Sequence, residues 1–267
     1  MITKNTEKQD THYAKLRRNY RDSKPKPIKT DSIYLYGIHT VLSAIDNKKR
    51  YIREILITRN SYKKLESVLE SSNIKYNIVT TKELNALLDG QAIHQGIVAV
   101  AKPLASKKIS HFFDSKIIIL LDQITDPHNV GAIMRSCVAL NVDVLITTQR
   151  HSPKETSVLA KSASGALDLL DFVVVKNLSE TLQDLTSLGF TTIGLDSKGE
   201  LDLYAIYQQS KYEKIALVLG SEGKGLRQKT KSAVSKLARL DMPGSIKSLN
   251  VSNAASIALY LTYKSFI

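Results

Sequence analysis

The sequence predicts an α/β protein: a parallel sheet forms its C-terminal part, and a smaller α/β unit precedes it. Three observations carry this. From Lys116 onward, short apolar runs of strand length alternate with helical stretches, the pattern of strands buried on both faces. Residues 32–103 show a second, shorter alternation with its own punctuation, and a polar stretch separates the two. A chain of 267 residues also has room for two modest domains.

In chain order, residues 1–31 hold nine Lys and Arg against four Asp and Glu, and end in K-P-K-P-I-K-T-D. With so few apolar residues the segment buries too little surface to fold alone, so it is expected to be a disordered basic arm. Four acids are too many for an organelle transit peptide, and there is no apolar signal-peptide core.

The smaller unit opens at Tyr34–Ile45 with Gly37 and His39. R-E-I-L-I-T (53–58) reads as a strand and S-Y-K-K-L-E-S-V-L-E (61–70) as an amphipathic helix. I-K-Y-N-I-V-T (74–80) is a second strand, T-K-E-L-N-A-L-L (81–88) a capped helix, and G-I-V-A-V (96–100) a last strand. His39 reads as a core or turn residue, and His94 is held open as a contact to a bound partner. K-P-L-A-S-K-K-I-S (102–110) opens the linker, placed at 104–115.

Beyond it, strands are expected at 117–121, 143–147, 171–175, 190–194, 215–219 and 237–240, with helices between them. The stretch Ile215–Ala258 has the pattern of a site. A buried strand breaks at Gly220 into a loop with three glycines and the carboxylate of Glu222. A second loop with Pro243 and Gly244 carries Ser248 and Asn250 into a helix whose inner stripe is small: Val251, Ala254, Ala255, Ala258 and Leu259.

Composition narrows the partner. A formal charge of +13 and a pI near 9.6 point to a polyanion, most simply nucleic acid. The lone cysteine, Cys137, excludes an internal disulfide and fits a reducing compartment. Its apolar neighbours mark it as a buried small hydrophobe rather than a nucleophile. No apolar run approaches the ~20 residues of a membrane span, and the protein is expected in the cytoplasm. None of the six histidines has a metal-ligand spacing with the cysteine, so no metal is expected. The loop glycines do not follow G-x-G-x-x-G, which disfavours a dinucleotide-binding dehydrogenase.

Three segments together carry a resemblance. D-Q-I-T-D-P-H-N-V-G-A-I-M-R-S-C (122–137), L-G-S-E-G-K-G-L (219–226) and M-P-G-S-I-K-S-L-N-V-S-N-A-A (242–255) resemble, in order, the three motifs of the SpoU (TrmH-like) RNA ribose 2′-O-methyltransferases of the SPOUT class. Y-G-I-H-T-V (36–41) and H-Q-G-I-V-A (94–99) are similar to the L30e-like substrate domain found ahead of some of them, the type acting on 23S rRNA guanosine.

The resemblance implies a deep trefoil knot in the C-terminal domain, 116–267, which strand pattern alone would leave unknotted. It implies methyl transfer from S-adenosylmethionine (AdoMet) to a ribose 2′-hydroxyl of large-subunit rRNA, by a homodimer. A tRNA ribose methyltransferase is the nearest alternative. A non-catalytic RNA-binding or ribosome-assembly protein is the second, disfavoured because the motif residues are intact.

The positions it marks for chemistry are Asn129, Arg135, Glu222, Ser248 and Asn250. Helix capping is the competing reading for Asn129, Ser248 and Asn250. Glu222 is expected to hold Asn129, Arg135 or Asn250 by hydrogen bonds. Arg135 is expected to touch the substrate phosphate and to assist deprotonation of the hydroxyl. As a group with a pKa above ~12 it is better suited to stabilising a forming alkoxide than to taking the proton. Leu219, Gly220, Leu240, Met242 and Leu249 are expected around the cofactor, with Gly194 as a further wall. One departure stands out: the family commonly has I-P-M where this chain has Leu240-Asp241-Met242, which places an extra carboxylate beside the pocket.

Overall fold

The computed structural model describes residues 31–267 apart from 89, 91, 106–111, 113 and 143. The basic arm, except Asp31, and seven of the twelve residues of the expected linker lie outside the described residues.

The N-terminal unit is a four-stranded sheet with helices. Its elements are β1 (Ile33–Tyr36), α1 (Ile38–Asp46), β2 (Ile52–Thr58), α2 (Arg59–Ser71), β3 (Tyr76–Val79), α3 (Thr81–Leu87) and β4 (Ile97–Ala101). The order is β1-β4-β2-β3, with β4 antiparallel to both neighbours and β2 parallel to β3. α3 starts at a capping box: Thr80 accepts from the Glu83 backbone N–H, and the Glu83 carboxylate accepts from the Thr80 N–H at 2.7 Å.

The C-terminal unit contains β5 (Ile117–Asp122), α4 (Pro127–Ala139), β6 (Val144–Thr148), α5 (Ser157–Ala163), α6 (Ala166–Leu169), β7 (Asp171–Val175) and α7 (Leu178–Ser187). It continues with β8 (Thr191–Leu195), β9 (Leu201–Asp202), α8 (Leu203–Gln209), β10 (Ile215–Gly220), α9 (Gln228–Ala233), β11 (Lys236–Arg239) and α10 (Val251–Lys264). Its seven strands are all parallel, in the order β7-β6-β5-β10-β8-β11-β9. The central strands read as continuous apolar runs because both faces are covered. Side chains alternate across a strand, so Ile117, Ile119 and Leu121 of β5 enter one apolar cluster while Ile118 and Leu120 enter the other. Residues of α4, α5, α6, α8 and α10 join the first face, and those of α7 and α9 the second.

The first cluster does not stop at the domain boundary. It runs from Leu35, Val41 and Ala44 of the small unit into Ala160, Ala163 and Leu167 of the large one. A buried ion network reinforces the join. Arg50 donates through Nε and Nη2 to the two carboxylate oxygens of Asp168 at 2.8 and 3.1 Å, and also pairs with Glu155. Burial works against the guanidinium charge, yet the hydrogen bonds and charges of Asp168 and Glu155 outweigh it and raise its pKa above the ordinary arginine value.

Two histidine expectations are corrected. His39 is exposed on α1, in neither the core nor a turn. His94 is buried, with Nε2 3.0 Å from Asn85 Oδ1 and Nδ1 accepting from the Gly96 N–H at 2.9 Å. Both ring nitrogens are engaged, one by Asn85 of α3 and one by the Gly96 N–H, so His94 braces the loop before β4 against α3 and is not presented to RNA.

Candidate active site

Strands β8, β10 and β11 end side by side, and the loops that leave their carboxyl ends enclose a cavity of about 690 Å³. That is where open parallel sheets place ligands. The strands point the same way, so the loops that follow them converge there: 195–198, 220–225 and 240–249. Leu219, Gly220, Leu240, Met242, Ser248 and Leu249 all line the cavity.

The glycines of the middle loop have a steric reason. Gly220 lies so close to the next turn that a Cβ would come 2.1 Å from the Gly225 carbonyl carbon. Gly223 and Gly225 have φ of 76° and 64°, the left-handed region that glycine enters without penalty.

Gly194 is not a wall, which corrects the expectation. Its Cβ direction meets Leu226, Leu237 and Val234 on the far side of the sheet, and the cavity wall is formed by Leu195 and Asp196 instead. Alternation along β8 puts position 194 on the opposite face.

Asp196 is tied down by Lys231, whose Nζ lies 2.6 Å from its Oδ2. Burial works to raise its pKa, but that bond, the Lys198 backbone N–H and the two lysine charges hold it below the ordinary carboxylate value. Asp241 is also accounted for: Arg239 Nε donates to it at 2.7 Å, so the added carboxylate arrives with its own cation.

At the cavity edge, three residues distant in sequence meet. Glu222 Oε1 accepts from Asn250 Nδ2 at 2.8 Å, from Asn129 Nδ2 at 3.2 Å and from the Val251 backbone N–H at 3.2 Å. Asn250 Nδ2 also donates to Asn129 Oδ1 at 3.0 Å. The carboxylate thus sits at the N-terminus of α10, where backbone donors and the helix dipole favour negative charge.

Each member owes its place to local structure. Asn250 is the N-cap of α10, its Oδ1 accepting from the Ser252 N–H at 2.9 Å. The capping reading therefore holds for Asn250 alongside its contact with Glu222. It does not hold for Asn129, because α4 is capped by Asp126, which accepts from the His128 N–H, with Pro127 in the first turn. Asn129 lies one residue further into the helix than His128, and its side chain turns to the loop. Ser248 is exposed in the 240–249 loop and caps nothing.

Arg135 is not brought to this cluster. Six residues along α4 correspond to about 9 Å of rise and a different helix face, and the side chain is exposed. The next residue, Ser136, touches Ser256 of α10 across 2.8 Å. Cys137 is fully buried, and burial pushes its thiol up to about 12, which leaves it inert as a nucleophile.

Sequence reasoning missed Arg239, Lys231 and Lys247, all of which line the cavity. No spacing marks Lys231 and Arg239, which reach the cavity through strands that pair out of sequence order, and Lys247 lies within the third motif without being singled out there. Among the described residues, no cluster of His, Cys, Asp and Glu is arranged to hold a metal ion, and no helix is long and apolar enough to cross a membrane.

Comparisons with known proteins meet this geometry. Residues 116–260 match the SpoU rRNA Methylase family, and residues 34–106 match the RNA 2′-O ribose methyltransferase substrate binding family. The 23S rRNA (guanosine-2′-O-)-methyltransferase RlmB of Xylella fastidiosa (strain 9a5c) is 32% identical over 238 residues, covering 85% of this chain and 94% of that protein. Its counterpart from Escherichia coli (strain K12) is 32% identical over 236 residues, covering 85% and 96%.

The fold is similar to the crystal structure of the SpoU methyltransferase AviRb from Streptomyces viridochromogenes in complex with AdoMet. The TM-score is 0.75, with 21% identity and coverage of 88% of this chain and 90% of that one. An AdoMet-bound rRNA methyltransferase from Sinorhizobium meliloti matches at TM-score 0.75 and 18% identity, over 89% of each chain. A match over more than half the chain, joined to relatives above 30% identity across nearly all of it, shows the affiliation: the chain belongs to the SpoU rRNA methylase family.

Proposed function

We propose that this protein is an AdoMet-dependent RNA 2′-O-methyltransferase that modifies a guanosine ribose in large-subunit rRNA. The single observation that carries the reading is the meeting of Asn129, Glu222 and Asn250 at the edge of a cavity of about 690 Å³. The substrate comes from the relatives named as 23S rRNA guanosine methyltransferases. The cytoplasm, where ribosomes are made, is the compartment that suits it. In this reading residues 1–31 are a basic arm, 32–103 the RNA-binding domain, 104–115 the linker and 116–267 the methyltransferase domain.

The cavity fits the cofactor. Its inner surface is apolar at Leu195, Leu219 and Leu240, and exposed backbone at Gly220 can read an adenine edge through its own donors and acceptors. When bound, AdoMet supplies a methyl group already activated on a sulfonium. The chain's task is then to place one hydroxyl in line and to manage one proton. Glu222, which lines the cavity, orients the two asparagine amides beside it. Ser248 and Leu249 line the cavity from the loop above.

Arg135 completes the site of a second copy in a homodimer. Its exposure supports this, as do the exposed apolar residues Ile257 and Tyr260 on α10, the helix that Ser136 contacts. The C-terminal unit threads as a trefoil knot. Support comes from the crossing at Gly199, where a Cβ would lie 2.4 Å from the Ala238 carbonyl carbon.

Methyl incorporation from labelled AdoMet into unmodified rRNA fragments and tRNA tests the reading, with Arg135→Ala as control. Label at one 2′-oxygen of rRNA, abolished in the variant, is the expected result. Label on tRNA alone discards the substrate. No transfer to any RNA discards the enzyme.

A further inference from the structure

The junction between the two units contains a lysine whose surroundings do not balance its charge. Lys161, in the last turn of α5, reaches out of the methyltransferase unit to the small one. Its Nζ stands 5.8 Å from the centroid of the Tyr36 ring and 3.4 Å from Gln95 Oε1.

The receiving site is built. Gln95 has a left-handed φ of 55°, and the same Oε1 accepts from the Ile38 backbone N–H at 3.0 Å, which fixes it at the start of α1. Gly37 leaves the room, since a Cβ there would lie 2.4 Å from Lys161 Nζ. Among the described residues no carboxylate pairs with this lysine. Partial burial lowers its pKa, and its charge helps lower that of His94. An ammonium has three donors. A neutral amide oxygen takes one of them and a ring face adds weak attraction, so donors and most of a positive charge remain.

The position links this charge to the site. Ser162, the next residue, contacts His128 Nδ1 through Oγ at 3.1 Å, and His128 precedes Asn129. Gly131 holds the two helices close, its Cβ direction 2.5 Å from Ser162 Cβ. One helix contact, Ser162 to His128, thus separates Lys161 from the residue before Asn129. On the other side, Ile93 is 74% exposed at the tip of the loop that presents Gln95.

We propose that Lys161, seated by Gln95 and Tyr36, binds a backbone phosphate of the substrate RNA at the domain junction, so that one strand is gripped by both units beside the methylated nucleotide. The inference rests on the RNA methyltransferase reading and adds to it a binding residue and a path for the strand. A phosphodiester suits this place better than a carboxylate because it brings a full charge and several strong acceptor oxygens to the spare donors.

The test is RNA binding against salt, using an unmodified large-subunit rRNA fragment and the full chain. Lys161→Met keeps most of the stem that packs on Tyr36 and removes the charge. It is expected to bind RNA about tenfold more weakly at physiological salt, with the slope of log K against log salt reduced by about one. Lys161→Arg should keep the wild-type slope. Gln95→Glu should mimic Lys161→Met although the lysine remains, because it places a carboxylate beside the ammonium. AdoMet affinity should be unchanged in all three.

Wild-type affinity and slope in Lys161→Met would overturn the proposal, as would weaker binding at an unaltered slope, the mark of a merely structural lysine. If Lys161→Met fails to fold, the slope of Gln95→Glu decides alone. Wild-type methyl transfer to the same fragment is measured in parallel. Its absence sinks the enzyme reading, whereas its presence with unaltered slopes sinks only this proposal.

Discussion

Glu222 is shared by three donors, and that sets what each substitution does. In Glu222→Ala the oxygen Oε1 that accepts from Asn129, Asn250 and the Val251 N–H is removed. The two asparagines then lose their common acceptor and their fixed orientation. Methyl transfer is expected to fall about 10²-fold, the scale of losing one preorganised polar group, with the RNA KM near wild type. Stability should move little, because Glu222 is exposed and no core packing depends on it. Single-turnover transfer beside a thermal melt separates the two effects. A drop in melting temperature that matched the loss of rate would make Glu222 a structural residue only.

At the level of elements, the α4–α5 packing matters most, because α4 carries Asn129 and Arg135 while α5 carries Lys161. Gly131 permits it: a Cβ there would approach Ser162 Cβ to 2.5 Å and the Ala163 backbone nitrogen to 2.7 Å. Gly131→Ala gains about 0.5–1 kcal/mol of helix preference and incurs about 1–3 kcal/mol of overpacking. A net destabilisation of about 1 kcal/mol is expected in urea unfolding, with transfer reduced as α4 shifts. The elements themselves were largely legible, since the apolar runs at 117–121 and 215–219 are too continuous for half-exposed strands. The two-residue β9 was not, because so short a pairing leaves no period to read. The site was legible as three motifs but not as a geometry. Nothing in local pattern says that positions 129, 222 and 250 touch, that Asp126 takes the cap of α4, or that Gly194 faces away. Those facts depend on strand order and on which face each residue presents.

For the whole molecule, the two units act as one body because an apolar cluster and the Arg50 network cross between them. Arg50 and Asp168 have side chains 0% and 1% exposed, so removing Arg50 leaves the buried carboxylate of Asp168, and that of Glu155 beside it, without their cation. Arg50→Ala is expected to cost about 3–5 kcal/mol and to increase proteolysis between residues 101 and 117. The triple variant Arg50→Met with Asp168→Leu and Glu155→Gln should recover much of the loss, and a triple variant as unstable as the single would refute the charge argument. The strand order has a temporal consequence as well. β1 and β4 close the small sheet within the first hundred or so residues made, using contacts that are all available by then. β5, by contrast, gains β6 on one side early but receives β10 on its other side only after about a hundred further residues have been synthesised. Until then an apolar strand at the centre of the future sheet has an open edge, the kind that joins a neighbouring chain. The topology therefore predicts that, during synthesis, the small sheet pairs first and the central strand of the large sheet gains its last neighbour late. In that interval the open edge of β5 is predicted to be the chain's main aggregation hazard.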